Sequence, residues 1–505
     1  MLILKANKQQ PKSESWTVTV RIVLASLLAA DCAAAAAHPY LTNLAQYSPF
    51  YPVGEYRTVP SKCEVSQVNL LQRHGARQPT PSSGKSIQAS LAKIVGKGNY
   101  SRPEMAFLAN YTYDVGEDGS LIAYGVTESY DAGKQLVKRM KCNSATAALT
   151  FCSAPFVRAT VRSPTNFAFR LTSTDRSLAD LSTQGSPRVV DTAGNWSRGF
   201  MDAQIPTLPT SYRKGFTFST QVVFVEGDHS NNPLKNNCPN LASTVPTAQE
   251  QWRAVWTPAV LQRLQDTQDY NLTASDVANL AYLCAFDSLK TNTTSPVCGL
   301  FRESEFPYIE YDGDLGKYYD NAYPGAPLAR SQGVGYVNEL LTRLTSDRSY
   351  IDKDTTQVNH TIDSNSTLFP LDKFIYADFT YDNQLLPVMS LIGLFQDAPL
   401  SPTLPCPMRT FVASKLVPFA GRMVVERLRC NGSYEDGFFS FLKGDSDYVR
   451  VLVNDQVMDL SSTCGKDETL TGGTVCRLSA FIEAMEKATA TATKEFAKCG
   501  FTPSN

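Results

Sequence analysis

The chain has 505 residues and a formal net charge of −1, from 47 Lys plus Arg and 48 Asp plus Glu. This near-neutral balance argues against a nucleic-acid binder, which normally carries a clear basic excess. Hydrophobic residues make up 43% and aromatic residues 10%, which is enough for a large core and excludes wholesale disorder.

The N-terminal segment 1–37 has the pattern of a secretory signal peptide. A basic, polar stretch precedes a short apolar run from Ile22 to Ala30, and small residues lead to a cleavage site near Ala37. A signal anchor is the alternative, but Asp31 interrupts the apolar run and makes a stable span costly. We therefore expect a secreted, extracellular protein without stable membrane association.

Cysteines and glycosylation sequons agree with export. Of 12 cysteines only Cys32 precedes the expected cleavage site, and no CxxC pair occurs, which favours disulfides over zinc binding. The remaining number is odd, so at least one cysteine is unpaired or pairs elsewhere. Asn-x-Ser/Thr sequons start at Asn99, Asn110, Asn195, Asn271, Asn292, Asn359, Asn365 and Asn431. Together these features predict a disulfide-bonded glycoprotein.

Strand patterns lie towards both ends of the chain, and helical patterns lie between them. The predicted strands are Val65–Leu71, Phe374–Phe379, Gly421–Leu428 and Tyr448–Val457. The predicted helices are Ser86–Val95, Ala248–Gln265 with a break at Pro258, Ser275–Lys290, Gly335–Ser346 and Leu478–Ala497. This order predicts one α/β domain from residues 38–160 and 331–505, with a mostly α-helical domain of residues 185–330 inserted into it.

The strongest chemical signal directly follows the first predicted strand. It is the string Arg73-His74-Gly75-Ala76-Arg77, with Pro79 and Thr80 two and three residues later. Guanidinium groups match phosphate oxygens in geometry and charge. Two flanking cations disfavour the imidazolium form, so the histidine stays neutral and nucleophilic. The string therefore predicts a phosphate cradle with an attacking imidazole.

This string resembles the active-site motif of the histidine acid phosphatases, and in particular of their secreted fungal phytases, with a basidiomycete-like pattern. Matching stretches follow in the same order at residues 188–200, 333–340, 376–380 and 416–427, so the resemblance runs from about Tyr47 to Cys499. It implies a mixed sheet flanked by helices, as in phosphoglycerate mutases, with an inserted, mostly α-helical domain. It also implies release of phosphate from myo-inositol hexakisphosphate.

The resemblance implies a role for each matching residue. His74 would become a phosphohistidine, Arg73 and Arg77 would hold the phosphoryl oxygens, and Asp382 would protonate the leaving alcohol. No metal and no cofactor are implied, because the guanidinium groups supply the positive charge. We expect the protein to act on this small-molecule phosphate ester as a monomer.

Two positions depart from the family pattern. Tyr381 stands where the family has a phosphate-contacting histidine; it can donate one hydrogen bond but carries no charge, which predicts weaker phosphate binding. The third phosphate-binding arginine of the family is assigned to Arg158, with Arg170 as the rival. Arg158 is favoured because the sequence that continues the family segment begins just before Arg188, and joining residues 158–160 directly to residues 185–190 restores that segment. On this assignment residues 161–184 are an inserted loop or translated intron sequence.

The resemblance also implies a set of disulfides and leaves other functions open. The implied pairs are Cys63–Cys430, Cys238–Cys499, Cys284–Cys298 and Cys464–Cys476, while Cys142, Cys152 and Cys406 have no family match. One alternative function is a broad-specificity acid phosphatase with little preference for phytate. Another is a non-catalytic binder of phosphate esters, suggested by Tyr381 and the insertion. A cytosolic mutase fits the leader, sequons and cysteines poorly.

Overall fold

The computed structural model describes residues 40–116, 119–140, 154–161, 168–169, 188–208, 221–227, 229–241, 245–266, 268–430 and 446–502. The predicted signal peptide, the sequon at Asn431, Cys142, Cys152 and most of the suspected insertion 161–184 lie outside the described residues. No helix in the described part is long and apolar enough to cross a bilayer.

Ten strands of the described residues form one mixed sheet. They are β1 (Cys63–Arg73), β2 (Phe156–Val161), β3 (Ala168–Phe169), β4 (Gln221–Val225), β5 (Ile375–Thr380), β6 (Arg422–Cys430), β7 (Ser446–Val453), β8 (Gln456–Val457), β9 (Thr469–Leu470) and β10 (Val475–Arg477). The order is β3-β4-β2-β5-β1-β6-β7-β10-β9, with β8 paired to β7. Strands β4, β2, β5 and β1 are parallel, and β6 is antiparallel to β1.

Helices cover both faces of this sheet. They are α1 (Pro81–Ile94), α2 (Ala123–Arg139), α3 (Arg188–Gln204), α4 (Val245–Trp256), α5 (Pro258–Leu264), α6 (Ala274–Thr291), α7 (Phe306–Asn321), α8 (Val334–Thr345), α9 (Ser349–Asp352), α10 (His360–Asp363), α11 (Asp382–Ile392), α12 (Ala413–Leu416), α13 (Ser461–Cys464) and α14 (Leu478–Phe496). The predicted break at Pro258 separates α4 from α5. The predicted mixed α/β architecture is confirmed.

The central strands are buried on both faces, which explains their nearly continuous apolar sequences. Along β1, Leu70 packs into the core beneath α2 and α3, whereas Leu71 packs into the opposite core. Tyr376 and Ala377 divide in the same way on β5. Because side chains alternate across a strand, each parallel strand supplies both cores and its carboxyl end is held in place from two sides.

The boundaries of the helical part differ from the prediction. Residues 185–330 were expected to form the inserted domain, but α3 packs beside α2 on the sheet and β4 pairs with β2 inside it. Conversely, α1 packs on α6. The helical layer therefore contains helices from the predicted α/β domain as well as from the predicted insertion. The difference arises because neither α3 nor β4, the two elements of this range that pack on or in the sheet, is predicted from the sequence.

Only glycine fits at three close backbone contacts, two between α2 and α3 and one between α2 and the loop after β1. A Cβ atom added to Gly133 would lie 2.0 Å from the Trp196 carbonyl oxygen, and one added to Gly199 would lie 1.9 Å from that of Tyr130. Likewise, a Cβ atom on Gly125 would lie 2.0 Å from the carbonyl oxygen of Ala76. These distances are shorter than any van der Waals contact, so helix backbones and the loop after β1 touch directly.

The structure contains the four disulfides that the resemblance implies. They are Cys63–Cys430, Cys238–Cys499, Cys284–Cys298 and Cys464–Cys476. Cys63 and Cys430 are register partners at the ends of β1 and β6, so this bond joins the two strands across 367 residues of sequence. Cys406 is exposed and unpaired.

We predict that Gly125→Ala destabilises the protein by about 1–3 kcal/mol, because the new methyl group overlaps the Ala76 carbonyl and must push the loop or the helix away. Denaturant unfolding under non-reducing conditions measures the effect. Gly299→Ala is the matched control, since a Cβ atom there meets nothing within 4 Å. Equal stability of the two variants would contradict the close contact.

Candidate active site

The loop after β1 lies at the carboxyl ends of the parallel strands. The His74 backbone N–H donates to the Thr380 carbonyl oxygen at 3.1 Å, and the Ala420 N–H donates to the His74 carbonyl oxygen at 2.9 Å. These bonds fix the His74 backbone between β5 and the segment that precedes β6. The carboxyl edge of a parallel sheet is where α/β proteins form their binding crevice.

Two helices hold the next residues of this loop. The Gly75 N–H donates to Thr192 Oγ1 of α3 at 3.0 Å, and the Ala76 N–H donates to Glu128 Oε2 of α2 at 3.0 Å. Burial raises the pKa of Glu128 to about 7, although it accepts this bond and one from the Phe50 N–H at 2.7 Å. The loop is therefore tied to both close-packed helices.

The His74 imidazole is buried and oriented. Its Nδ1 lies 2.9 Å from the Gly75 carbonyl oxygen. A carbonyl oxygen only accepts, so this contact keeps the ring proton on Nδ1 and leaves Nε2 unprotonated. Burial, together with the cations Arg188, Arg73 and Arg77, holds the pKa of His74 well below its ordinary value. The ring is therefore neutral rather than an imidazolium.

The two predicted arginines of the motif flank this ring. Arg73 is buried; its Nη1 donates to the Val417 carbonyl oxygen at 2.7 Å, and its guanidinium carbon lies 4.7 Å from the centroid of the Phe419 ring. Arg77 Nη1 donates to the Gln78 carbonyl oxygen at 2.8 Å. Burial and the nearby Arg188 lower the pKa of Arg77 to about 10. Neutral carbonyl oxygens therefore help to orient both guanidinium groups.

Asp382 stands across the site at the first position of α11. Its Oδ2 lies 2.6 Å from Lys317 Nζ on α7 and 3.5 Å from Arg73 Nη2. Burial alone would raise the pKa of this carboxyl, but the Arg73 and Lys317 cations outweigh it and hold the pKa far below the ordinary value. Lys317 also donates to Asn383 Oδ1 at 2.7 Å, so one lysine reaches two consecutive residues.

Arg158 is the predicted site residue that the structure does not bring to this group. Its side chain is fully buried; its Nε lies 2.6 Å from Asp378 Oδ1 and its Nη2 forms an ion pair with Glu339. Asp378 is the register partner of Arg158 on the neighbouring strand β5, and Arg343 also binds it at 2.7 Å. This guanidinium is paired with two carboxylates in a buried network. We therefore correct its assignment from a phosphate-binding residue to a structural one. Its rival Arg170 lies outside the described residues.

Arg188, the first residue of α3, takes the place expected of Arg158. Its guanidinium carbon lies 4.9 Å from the centroid of the Tyr381 ring, and it is the cation that most lowers the pKa of His74. The signal that could have found it is that Arg188 opens the family-matching stretch 188–200. A cation in the first turn of a helix also opposes the helix dipole, but using this signal requires the start of α3, which is not predicted from the sequence.

Tyr381 lies beside His74 but points its hydroxyl elsewhere. The centroids of the two rings are 5.8 Å apart with an angle of 73° between their planes. The Tyr381 hydroxyl donates to Glu226 Oε1 at 2.8 Å. A phenol has one proton to donate, so the structure does not support the expected hydrogen bond to phosphate. Across the described residues, no three His, Cys, Asp or Glu side chains are grouped as a metal site.

Comparisons with known proteins identify the family. Residues 64–454 match the model of the histidine phosphatase superfamily, branch 2. The chain is 31% identical over 431 residues to Phytase A of Aspergillus awamori, which covers 82% of each chain, and 33% identical over 430 residues to a Phytase A of Aspergillus terreus, again covering 82% of each. The chain therefore belongs to the histidine phosphatase superfamily, branch 2, and is an enzyme of the histidine acid phosphatase family.

Solved structures share the fold. A crystal structure of the phytase from D. castellii superposes with a TM-score of 0.64 at 20% identity, covering 92% of this chain and 88% of that one. The multiple inositol polyphosphate phosphatase of Bifidobacterium longum, in complex with inositol hexasulfate, superposes with a TM-score of 0.58 at 13% identity, covering 88% and 97%. At these identities the likeness supports the fold.

We predict that replacing Arg158 mainly lowers stability, whereas replacing Arg188 mainly changes the pKa of His74. Arg158→Met leaves Asp378 and Glu339 buried without this partner, so we expect a loss of about 3–5 kcal/mol in unfolding free energy. Arg188→Met should cost far less stability but raise the pKa of His74, because a nearby cation is removed.

Denaturant unfolding measures the first effect. Diethyl pyrocarbonate modification of His74 against pH, mapped by mass spectrometry, measures the second, because only the neutral ring reacts. The assignment would be overturned if Arg158→Met shifted the His74 titration and Arg188→Met did not.

Proposed function

We propose that this enzyme is a phytase-type phosphomonoester hydrolase that releases phosphate from myo-inositol hexakisphosphate. The observation that carries the proposal is a neutral, buried His74 with Arg73, Arg77 and Arg188 around it and Asp382 opposite. The names of the relatives, which are phytases, support the substrate. The guanidinium groups would bind the phosphoryl oxygens and stabilise their charge in the transition state.

In the first step, His74 Nε2 attacks phosphorus and the ester P–O bond breaks. The electron pair of that bond passes to the leaving alkoxide, which takes a proton from Asp382, because an unprotonated alkoxide is a poor leaving group. The bond from Nδ1 to the Gly75 carbonyl oxygen stabilises the positive charge that develops on the ring. In the second step, water attacks the phosphohistidine, Asp382 accepts its proton, and the P–N electron pair returns to Nε2.

Protonation of Asp382 depends on what is bound beside it. In the ligand-free protein, Arg73 and Lys317 keep this carboxyl ionised. A phosphate ester is an anion, so its arrival at Arg73 adds negative charge next to Asp382 and raises the carboxyl pKa. We therefore propose that the acid form exists mainly in the substrate complex and at acidic pH, which fits the acidic working range of an acid phosphatase.

The signal-peptide pattern and the sequons indicate where the protein is located. We propose a secreted glycoprotein, since 1–37 reads as a signal peptide and several sequon asparagines are exposed. The exposed ones are Asn99, Asn110, Asn271, Asn292 and Asn365. Asn195 and Asn359 are half-buried, and each side-chain amide donates to a backbone carbonyl, at 2.8 Å and 3.1 Å respectively. Those two positions offer a less accessible amide.

The reaction is tested by trapping the covalent intermediate. We expect acid-quenched enzyme to carry labelled phosphate after mixing with radiolabelled phytate, and His74→Ala to carry none. Parallel rates on phytate and p-nitrophenyl phosphate distinguish the specificities: a clear preference for phytate supports the proposal, whereas equal or faster aryl phosphate hydrolysis indicates a broad acid phosphatase. Absence of both adduct and product would favour a non-catalytic phosphate-ester binder.

We predict that Lys317→Met shifts the pH profile of kcat towards higher pH. The working form of Asp382 is protonated, so activity falls as pH rises through its pKa in the substrate complex. Lys317 stabilises the carboxylate, so its removal raises that pKa and moves the alkaline limb up by roughly one unit or more. Lys487→Met, at an exposed lysine of α14 paired with Glu483, is the control. An unmoved limb, or one moved to lower pH, would contradict the role of Asp382 as the acid.

A further inference from the structure

The hydroxyl of Tyr381 is held outside the phosphate site by residues at the carboxyl ends of two neighbouring strands. Glu226 follows β4, and its side chain is only 2% exposed. Its Oε1 accepts from the Tyr381 hydroxyl at 2.8 Å and from Thr160 Oγ1 of β2 at 3.0 Å. Lys235 Nζ lies 3.9 Å from Oε2 of the same carboxylate. The phenol is thus anchored at its far end, which fixes where the ring lies.

The anchored ring lies near both groups on which the chemistry depends. The guanidinium carbon of Arg188 lies 4.9 Å from the ring centroid, and the centroid of the His74 ring lies 5.8 Å from it. A guanidinium at this distance from an aromatic ring is attracted by the ring electrons, and more strongly where water is excluded. The Arg188 Nε is buried and, within the described part of the chain, makes no hydrogen bond.

We propose that Tyr381 is a positioning residue that holds the Arg188 guanidinium beside His74 through its ring, while Glu226 anchors the ring. This inference rests on the proposed function, in which Arg188 binds the phosphoryl group. Like Phe419 beneath Arg73, the ring is a neutral partner that holds a cation without neutralising it. Tyrosine at this position therefore supports the positive charge of the site through Arg188 and need not contact phosphate itself.

Two substitutions distinguish the contribution of the Tyr381 ring from that of its hydroxyl. Tyr381→Phe keeps the ring beside Arg188 but loses the hydroxyl bond to Glu226, so kcat/KM on p-nitrophenyl phosphate should fall by no more than about 3-fold. Tyr381→Leu removes the ring, so we expect a loss of about 10- to 30-fold. The His74 titration should move in the same direction in Tyr381→Leu as in Arg188→Met, because both displace the same cation. A merely structural role of Tyr381 would not move this titration.

A double-mutant cycle completes the test. If the ring acts only through Arg188, then Tyr381→Leu combined with Arg188→Met is no worse than Arg188→Met alone. Three results would overturn the inference: equal losses in the Phe and Leu variants, losses that multiply in the double variant, or an unmoved His74 titration in Tyr381→Leu. Unfolding midpoints establish that each variant is folded.

The same experiments keep this inference distinct from the proposed function. If the parent hydrolyses neither phytate nor p-nitrophenyl phosphate, the proposed function fails. The His74 titration by diethyl pyrocarbonate still compares Tyr381→Phe, Tyr381→Leu and Arg188→Met in that case, and an unmoved titration in Tyr381→Leu would then overturn the positioning role independently.

Discussion

The site depends on gathering like charges around a buried imidazole. Arg73, Arg77 and Arg188 all act on His74, and each of them lowers its pKa. Such an arrangement repels itself in the absence of an anion, so the fold must hold it by other means. It does so with backbone carbonyls, aromatic rings and one carboxylate shared with Lys317. The positive charge is oriented without being cancelled, which leaves it available to a phosphoryl group.

A second group of arginines follows the opposite logic. Arg158 and Arg343 share Asp378, and Arg158 also pairs with Glu339. Burial opposes the charged form of Arg158, but these carboxylates outweigh it and raise the pKa of the guanidinium. A guanidinium whose charge is balanced by two buried carboxylates offers little net charge to an anionic ligand. The partners of an arginine, more than its place in a motif, therefore separate the structural from the functional ones.

The sequence predicts best what is local. The strands at both chain ends and the long helices follow from periodicity, with boundaries that shift by a few residues. The single strand predicted over Tyr448–Val457 is in fact two paired strands, β7 and β8. His74 and its two motif arginines lie within five residues of one another. Asp382 is assigned from the family resemblance, and its proximity to His74 follows from the pairing of β1 with β5, which the sequence does not reveal. The placing of Arg158 required knowledge of which residue of β5 lies opposite it. That pairing depends on sheet register, which no pattern within β2 reveals.

The direct backbone contact of α2 and α3 has a consequence for how this protein can evolve. Glycine contacts seat α3 on α2, so the helix pair sets the location of Arg188. Residues added to the chain before α3 cost little in loop entropy. Residues can accumulate there across a lineage while the geometry of the site stays unchanged. A single methyl group added at the α2–α3 contact, in contrast, would push the two helices apart.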